Sequence, residues 1–198
     1  MKPQSGWSLM ETLVVTALMG LLAAIVAWLF SSILRSARED MSRSQSQSVL
    51  MLSLARLERS LQRSCRRGIS YRPGPPAVLA IHPQPEGPVP RVPVWEPFWV
   101  TFLWHEQRLL TRQSPPFPGL PPAPTDRPKA LDEPNLAALL AHPTQRSRPL
   151  AEHVSWFHIG LGDSPSLDIQ LEIEFLPPGR VTSEKLRAQR RLFLRNNS

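Results

Sequence analysis

The chain has 198 residues, enough for one domain of ordinary size, and its 41% hydrophobic and 20% charged residues exclude a wholly disordered chain and a polytopic membrane protein. A formal net charge of +7 indicates either general solubility or attraction to nucleic acid or anionic lipid. The lone cysteine, Cys65, excludes an intramolecular disulfide and a cysteine-based metal site. Proline is unusually frequent, with 23 residues, of which 16 lie between Pro73 and Pro128, so long regular elements are disfavoured mainly in that stretch.

The first element is an uncharged segment of 23 residues, 12–34, near the N-terminus. As a helix it is about 35 Å long, which is enough to cross a hydrocarbon core of about 30 Å. It is also longer than the apolar region of a secretory signal peptide, which is about 7–15 residues. The segment therefore predicts one membrane-spanning helix. Basic residues lie on both sides of it, so charge counting leaves its orientation open.

Glu11 stands directly before this apolar run. Two interpretations are open for a carboxylate at this place. It is either a solvated acid that suits the positive end of the helix dipole, or a membrane-embedded charge that needs a partner.

The residues before and after Glu11 form a specific pattern. A short leader, MKPQSG, ends at Gly6, and Trp7, Ser8, Leu9 and Met10 then precede Glu11 and the long apolar helix. This resembles the class III signal of type IV pilins and type II secretion pseudopilins, with Trp7 in place of the usual Phe or Met. The resemblance implies that a prepilin peptidase cuts after Gly6 and methylates the amine of Trp7. It also implies that Glu11 pairs with the amine of Trp7 on a neighbouring subunit in an assembled filament.

The helix is predicted to continue beyond the membrane, from about Ser8 to Arg67, with Gly68 as its stop. Apolar residues in its second half recur at spacings of four, three and four, namely Leu50, Leu54, Leu57 and Leu61. Such a stripe needs a partner, either another helix in a coiled coil or a sheet. We expect it to pack on a C-terminal sheet, and we expect Cys65 to be a buried or half-exposed, unreactive thiol.

The rest of the chain is predicted to be mostly antiparallel strands. Proline-rich loops are expected at 73–97 and 114–128, and the first is expected to contain a short edge strand at 77–82. The second is either a semi-rigid loop or partly disordered excursion, or a ligand for an aromatic groove. Residues 98–105 and 109–111 indicate a hairpin, with alternate residues from Phe98 to Trp104 on one face, and residues 131–142 a short helix. Strands follow at 154–161, 167–176 and 189–195. Alternation in the second of them predicts a buried face with Leu171 and Ile173 and a solvated acidic face.

These elements predict an α+β fold in which a long N-terminal helix packs on an antiparallel β-sheet domain. In order, the segments FWVTFLWHEQRLLTRQ, RPLAEHVSWFHI, LDIQLEIEF and RLFLRN are similar to J-type minor pseudopilins and W-type minor pilins. With the leader, this resemblance divides the chain into a leader (1–6), a transmembrane helix (7–34), an amphipathic helix (35–67) and a pilin-like domain (68–198). It implies a minor subunit, single-pass in the inner membrane with a periplasmic domain, whose partners are prepilin peptidase, other major and minor subunits, and inner-membrane lipid.

No catalytic or metal motif stands out in the sequence. The five histidines lack a metal-ligand spacing and are interpreted as satisfied surface or core residues: His82, His105, His142, His153 and His158. We expect no cofactor and no enzymatic activity. Two alternatives remain, a membrane-anchored enzyme with a pilin-like leader and a DNA-uptake pseudopilin. In the second, nucleic acid would be bound by basic residues such as Arg66, Arg67, Arg190 and Arg191.

Overall fold

A computed structural model describes residues 9–86, 94–105, 108–117, 119–141, 146–161 and 166–194. Helix α1 (Leu9–Gln62) is followed by a short 3₁₀ helix (Arg66–Gly68). The remaining elements are listed in chain order: β1 (Ile69–Arg72), β2 (Ala77–Ile81), β3 (Val100–Trp104), β4 (Leu110–Gln113), α2 (Glu133–Ala141), β5 (Ser147–Ala151), β6 (Val154–Leu161), β7 (Ser166–Phe175) and β8 (Glu184–Phe193). The chain thus has the predicted α+β fold, a long apolar N-terminal helix packed on antiparallel sheets.

Helix α1 has no proline and one glycine, so nothing in its sequence interrupts it before the end of the leucine stripe. Its predicted continuation to Arg67 is wrong, because the helix ends at Gln62. There the Ser64 hydroxyl donates a hydrogen bond of 2.7 Å to the carbonyl of His82, and the chain turns toward β2. Gly68 lies close to this bond, since a Cβ there would be 2.7 Å from the Ser64 Oγ and 3.2 Å from the His82 carbonyl oxygen, and a larger residue would displace the Ser64 hydroxyl.

The strands form two antiparallel sheets. The five-stranded sheet has the order β1-β2-β3-β4-β5, and the three-stranded sheet has the order β6-β7-β8. The β3–β4 hairpin and the strand at 154–161 are confirmed. The strand predicted at 77–82 is confirmed as β2, but its expected edge position is wrong, because β2 is fully buried between β1 and β3. Strands β1 and β5 are not predicted by the sequence patterns. Strand β8 begins at Glu184, five residues earlier than expected, and its predicted last residue, Arg195, lies outside the described residues.

The main core forms where α1 meets both sheets. The four stripe leucines are between 0% and 3% exposed and belong to one apolar cluster with residues of both sheets, Leu171 and Ile173 among them. On β3, Val100, Phe102 and Trp104 turn toward this cluster, and Phe98 packs at its border, as the alternation predicted. The stripe therefore packs on the sheets, and the coiled-coil alternative is wrong for these leucines.

Strand β7 confirms the predicted alternation. Its apolar residues from Leu167 to Phe175 are buried, and the residues between them are partly exposed. On the exposed face Asp168 accepts from Arg191 at 2.8 Å, and Glu172 pairs with Lys185 at 3.1 Å. The hydrogen bond from Arg191 holds the pKa of Asp168 below its usual value. These acids form a solvated, charge-paired face.

A second core covers the other face of the five-stranded sheet. Val78, Ala80, Trp99 and Leu103 pack against the chain from Phe117 to Leu139, in which Ala123 and Leu131 are also buried. The Ala123 amide donates to the carbonyl of Pro97 at 3.0 Å, and the Trp99 indole donates to the carbonyl of Lys129 at 3.1 Å. In the described part of 114–128, the interpretation as a semi-rigid loop agrees with the structure, because Phe117 and Ala123 are buried against the sheet. The alternative of a ligand for an aromatic groove stays a prediction.

His82 joins this cover to the end of β2. It is 0% exposed and lies between the rings of Trp95 and Trp99, at centroid distances of 5.3 and 5.7 Å. Its Nδ1 accepts a hydrogen bond of 3.0 Å from the amide of Lys129, so the ring proton is on Nε2, which donates to the carbonyl of Glu96 at 2.8 Å. His82 is thus a satisfied core histidine in its neutral form.

The environment of His82 makes the stability of the domain depend on pH. Burial lowers the pKa of His82 below its ordinary value of 6.5. The unfolded chain therefore binds a proton at a higher pH than the folded chain, and stability is lost as the pH falls below about 6.5 toward the lowered pKa. We expect the melting temperature of the wild type to decrease between pH 7 and pH 5, and that of His82→Gln to decrease less. His158→Gln, at a partly exposed site, is the matched control, and equal pH slopes in all three proteins would contradict the assignment.

Candidate membrane-inserting and assembly helix

The residues singled out for function lie at the N-terminus. Gly6 and Trp7 lie outside the described residues. Glu11 is in the first turn of α1 and is exposed. An acid at this place interacts favourably with the positive end of the helix dipole, whatever further role it has.

The first half of α1 exposes an apolar surface. Every described residue from 9 to 38 is exposed, and the first buried residue of the helix is Leu50. Large side chains such as Leu22, Trp28 and Phe30 are each more than 60% exposed. A surface of this extent is rare on soluble monomers and marks a site that contacts lipid or another protein. By length and hydropathy the helix can cross a membrane.

Two hydroxyl groups within this segment donate hydrogen bonds to the backbone of the preceding turn. The Thr16 hydroxyl donates to the carbonyl of Thr12 at 2.7 Å, and the Ser31 hydroxyl donates to the carbonyl of Trp28 at 2.8 Å. Such bonds to the preceding turn remove the need for water. The exposed half of α1 is therefore compatible with a hydrocarbon environment, in which an unsatisfied polar group is costly.

In the described residues, the globular part forms an ion pair with α1 at Glu39, next to a pocket that Pro178 and Gly179 line together with α1 residues between 31 and 38. Arg180, in the turn between β7 and β8, donates to Glu39 at 3.0 Å and to Glu184 at 3.0 Å. Residues 9–38 precede this contact and extend for about 45 Å at 1.5 Å per residue. Arg35 and Arg38 follow the apolar run directly, where basic side chains suit the edge of a bilayer.

The other groups considered in the sequence lie apart from this helix. Within the described ranges, no three potential ligands among His, Cys, Asp and Glu come close enough to hold a metal ion. Cys65 is buried, as expected. His158 stacks on Trp156 at a centroid distance of 6.2 Å, while His142 lies outside the described residues.

The basic residues proposed for nucleic acid are partly engaged within the protein. Arg191 binds Asp168, and Arg66 donates to the carbonyl of Leu161 at 3.3 Å. Arg67 and Arg190 are exposed. The structure instead gathers arginines at a different place, between the second half of α1 and the edge of the five-stranded sheet. The sequence carried one signal for it, the recurrence of Arg56, Arg59 and Arg63 along one helix face.

Comparison of the chain with protein-family models, with curated proteins and with solved structures yields no significant match.

Proposed function

We propose that this protein is a minor pilin-like subunit that takes part in assembling a type II secretion pseudopilus or the tip of a type IV pilus. The observation that carries the proposal is the division of α1 into two halves. One half is buried against the sheets, and the other, apolar half has every described residue exposed. A subunit that is first stored in a membrane and later packed among other helices needs this arrangement, because the same apolar surface serves both environments.

The leader pattern supports the same proposal. In it, prepilin peptidase cleaves after Gly6, Trp7 becomes the methylated N-terminus, and Glu11 becomes the fifth residue of the mature chain. The subunit then lies in the inner membrane as a single-pass protein with its globular domain in the periplasm. From there it joins other major and minor subunits.

The N-terminus of the protein tests this proposal. Mass spectrometry of the membrane-extracted protein should find a chain that begins at Trp7 with a methylated amine. Gly6→Val should block cleavage, because a branched side chain does not fit a site shaped for glycine. Ser5→Val, with the same side chain one position earlier, should still be processed. An uncleaved wild-type chain in cells with an active peptidase would contradict the proposal.

A further inference from the structure

A cleft of about 420 Å³ lies between the second half of α1 and strands β4 and β5. Five arginines line it, two from α1, one directly after the end of α1 and one from each strand: Arg56, Arg59, Arg63, Arg112 and Arg148. Among the residues that the structure describes, Glu86 supplies its single carboxylate. We call this site the arginine cleft.

Folding brings the positive charges of these arginines close together, although they repel one another. Arg56 and Arg59 are three residues apart on one face of α1, where like charges destabilise a helix, and Arg63 follows the end of the helix in the same cleft. Arg112 and Arg148 are direct partners in the β4–β5 register, where like charges destabilise a sheet. Both arrangements are unfavourable in the isolated chain.

Among the described residues, few acidic groups offset the positive charge of the arginine cleft. Arg63 alone is paired, through a 2.6 Å bond to Glu86 and two bonds to the carbonyl of Gln84. In the described part of the chain no carboxylate forms an ion pair with the other four arginines of the cleft. Partial burial, followed by the charge of Arg63, lowers the pKa of Arg112, which Glu86 only partly opposes. The guanidinium groups nevertheless stay protonated at neutral pH.

This charge distribution is unlike that of the three-stranded sheet, where Asp168 and Glu172 face Arg191 and Lys185. There Arg191 and Lys185 each pair with an acid of the neighbouring strand. In the arginine cleft, four arginines form no ion pair with a described carboxylate of the chain, so their charges can bind an external anion. Guanidinium groups bind planar oxyanions through two parallel hydrogen bonds, so carboxylates and phosphates are the suitable ligands.

The position of the cleft excludes a lipid headgroup. Arg56 follows the end of the apolar run at Leu34 by 22 residues, or about 33 Å along the helix axis. A headgroup at the membrane surface does not reach that height while the subunit is in the membrane.

The surroundings of the cleft favour a polypeptide over nucleic acid. Pro149 and Leu150 line the arginine cleft and also an adjoining pocket of about 330 Å³, which continues along α1 past Val49, Ile173 and Phe175. Apolar contacts of this kind suit side chains of a peptide and not a sugar–phosphate backbone. In the described part of the chain no aromatic residue lines the arginine cleft to stack on a base. Strand β5 is also a sheet edge, beside which an extended peptide can lie.

We propose that the arginine cleft binds a carboxylate-rich segment of an acidic partner polypeptide. The proposal deepens the assembly function and rests on it, since the partner would be another subunit of the assembly. A second copy of this chain is disfavoured as that partner, because it carries the same net charge of +7.

Peptide binding by the full chain in a non-ionic detergent tests this proposal. The probe is a fluorescein-labelled peptide of about ten residues in which Glu and Ala alternate, and its anisotropy is followed as the protein is added. Arg112→Gln/Arg148→Gln should weaken binding about tenfold, because two exposed charge pairs are lost. Arg67→Gln/Arg190→Gln removes the same charge outside the cleft and should change the affinity less than twofold. The melting temperature of the cleft variant should not fall, because a repulsion is removed.

Three results would overturn the proposal. The first is an absence of peptide binding at low ionic strength, and the second is an equal loss of affinity in the cleft variant and the control variant. The third is tighter binding of a ten-nucleotide oligo(dT) than of the peptide, with the same dependence on Arg112 and Arg148, which would make the cleft a nucleic-acid site. The measurement needs neither membrane insertion nor assembly. A negative result therefore leaves the assembly function standing. If instead the protein binds the peptide but its leader is not cleaved in cells with an active peptidase, only the assembly function is contradicted.

Discussion

Leu57→Ala is expected to lower the free energy of unfolding by about 2–5 kcal/mol, as truncation of a fully buried leucine typically does. Leu57 is 0% exposed and lies in the cluster that joins α1 to both sheets. The lost side chain leaves a cavity between rigid elements, which relax only partly into it. Such a loss is a large fraction of the stability of an ordinary domain, about 5–15 kcal/mol.

The control for this change is Leu52→Ala on the same helix. Leu52 is 59% exposed, so the same truncation at that site should cost far less. Thermal or denaturant unfolding of the two variants, compared with the wild type in one detergent, measures the difference. Equal melting temperatures for Leu57→Ala and the wild type would mean that the stripe does not carry the core.

Glu11→Gln should leave membrane insertion and leader cleavage intact and strongly reduce assembly. In a packed core of helices the carboxylate of Glu11 would neutralise the amine of Trp7 on an adjacent subunit. The glutamine keeps the shape but leaves that amine buried without a counter-charge, which costs about 3–5 kcal/mol. The yield of cross-links to neighbouring subunits in cells should therefore fall by at least tenfold.

Asp40→Asn is the matched control for Glu11→Gln, because it removes an exposed acid from the same helix beyond the apolar run. Cross-linking of this variant should equal that of the wild type. If Glu11→Gln also assembles normally, with normal secretion or piliation, Glu11 is only an acid at a helix start. A subunit at the very tip of a filament would lack one axial neighbour, so the cross-link to the remaining neighbour is the one to measure.

The two halves of α1 would allow one element to serve both stability and the proposed assembly function. The leucine stripe holds the second half against two sheets, and the Arg180–Glu39 bond lies where the first half leaves them. Because the helix is continuous between Leu9 and Gln62, the globular part keeps a set position relative to the apolar segment. Docking of a partner in the arginine cleft would then act on the same rigid element that packs in the membrane or filament.

Local sequence patterns determined a large part of this fold. The uncharged run at 12–34 predicted an apolar helix, and the leucine stripe and the alternation in β7 predicted both their elements and the residues that those elements bury. Each of these signals depends on the spacing of apolar residues within one helix or one strand. The backbone conformation alone sets the period at which residues return to the same face, so no knowledge of distant contacts is needed. The leader pattern and Glu11 are local in the same sense, and they carry the functional proposal.

Only the tertiary structure decided which elements meet. The division into two sheets, the central place of β2 and the covering of the sheet by residues 114–139 depend on contacts between distant segments. Proline was interpreted as a barrier to long regular elements, and that interpretation does not predict packing, yet a chain that already lacks conformational freedom loses less entropy when it is fixed against a sheet. The arginine cleft was missed for the same reason. Arg56 and Arg148 are far apart in the chain, and the repulsion that makes their site unusual exists only after folding brings their charges together.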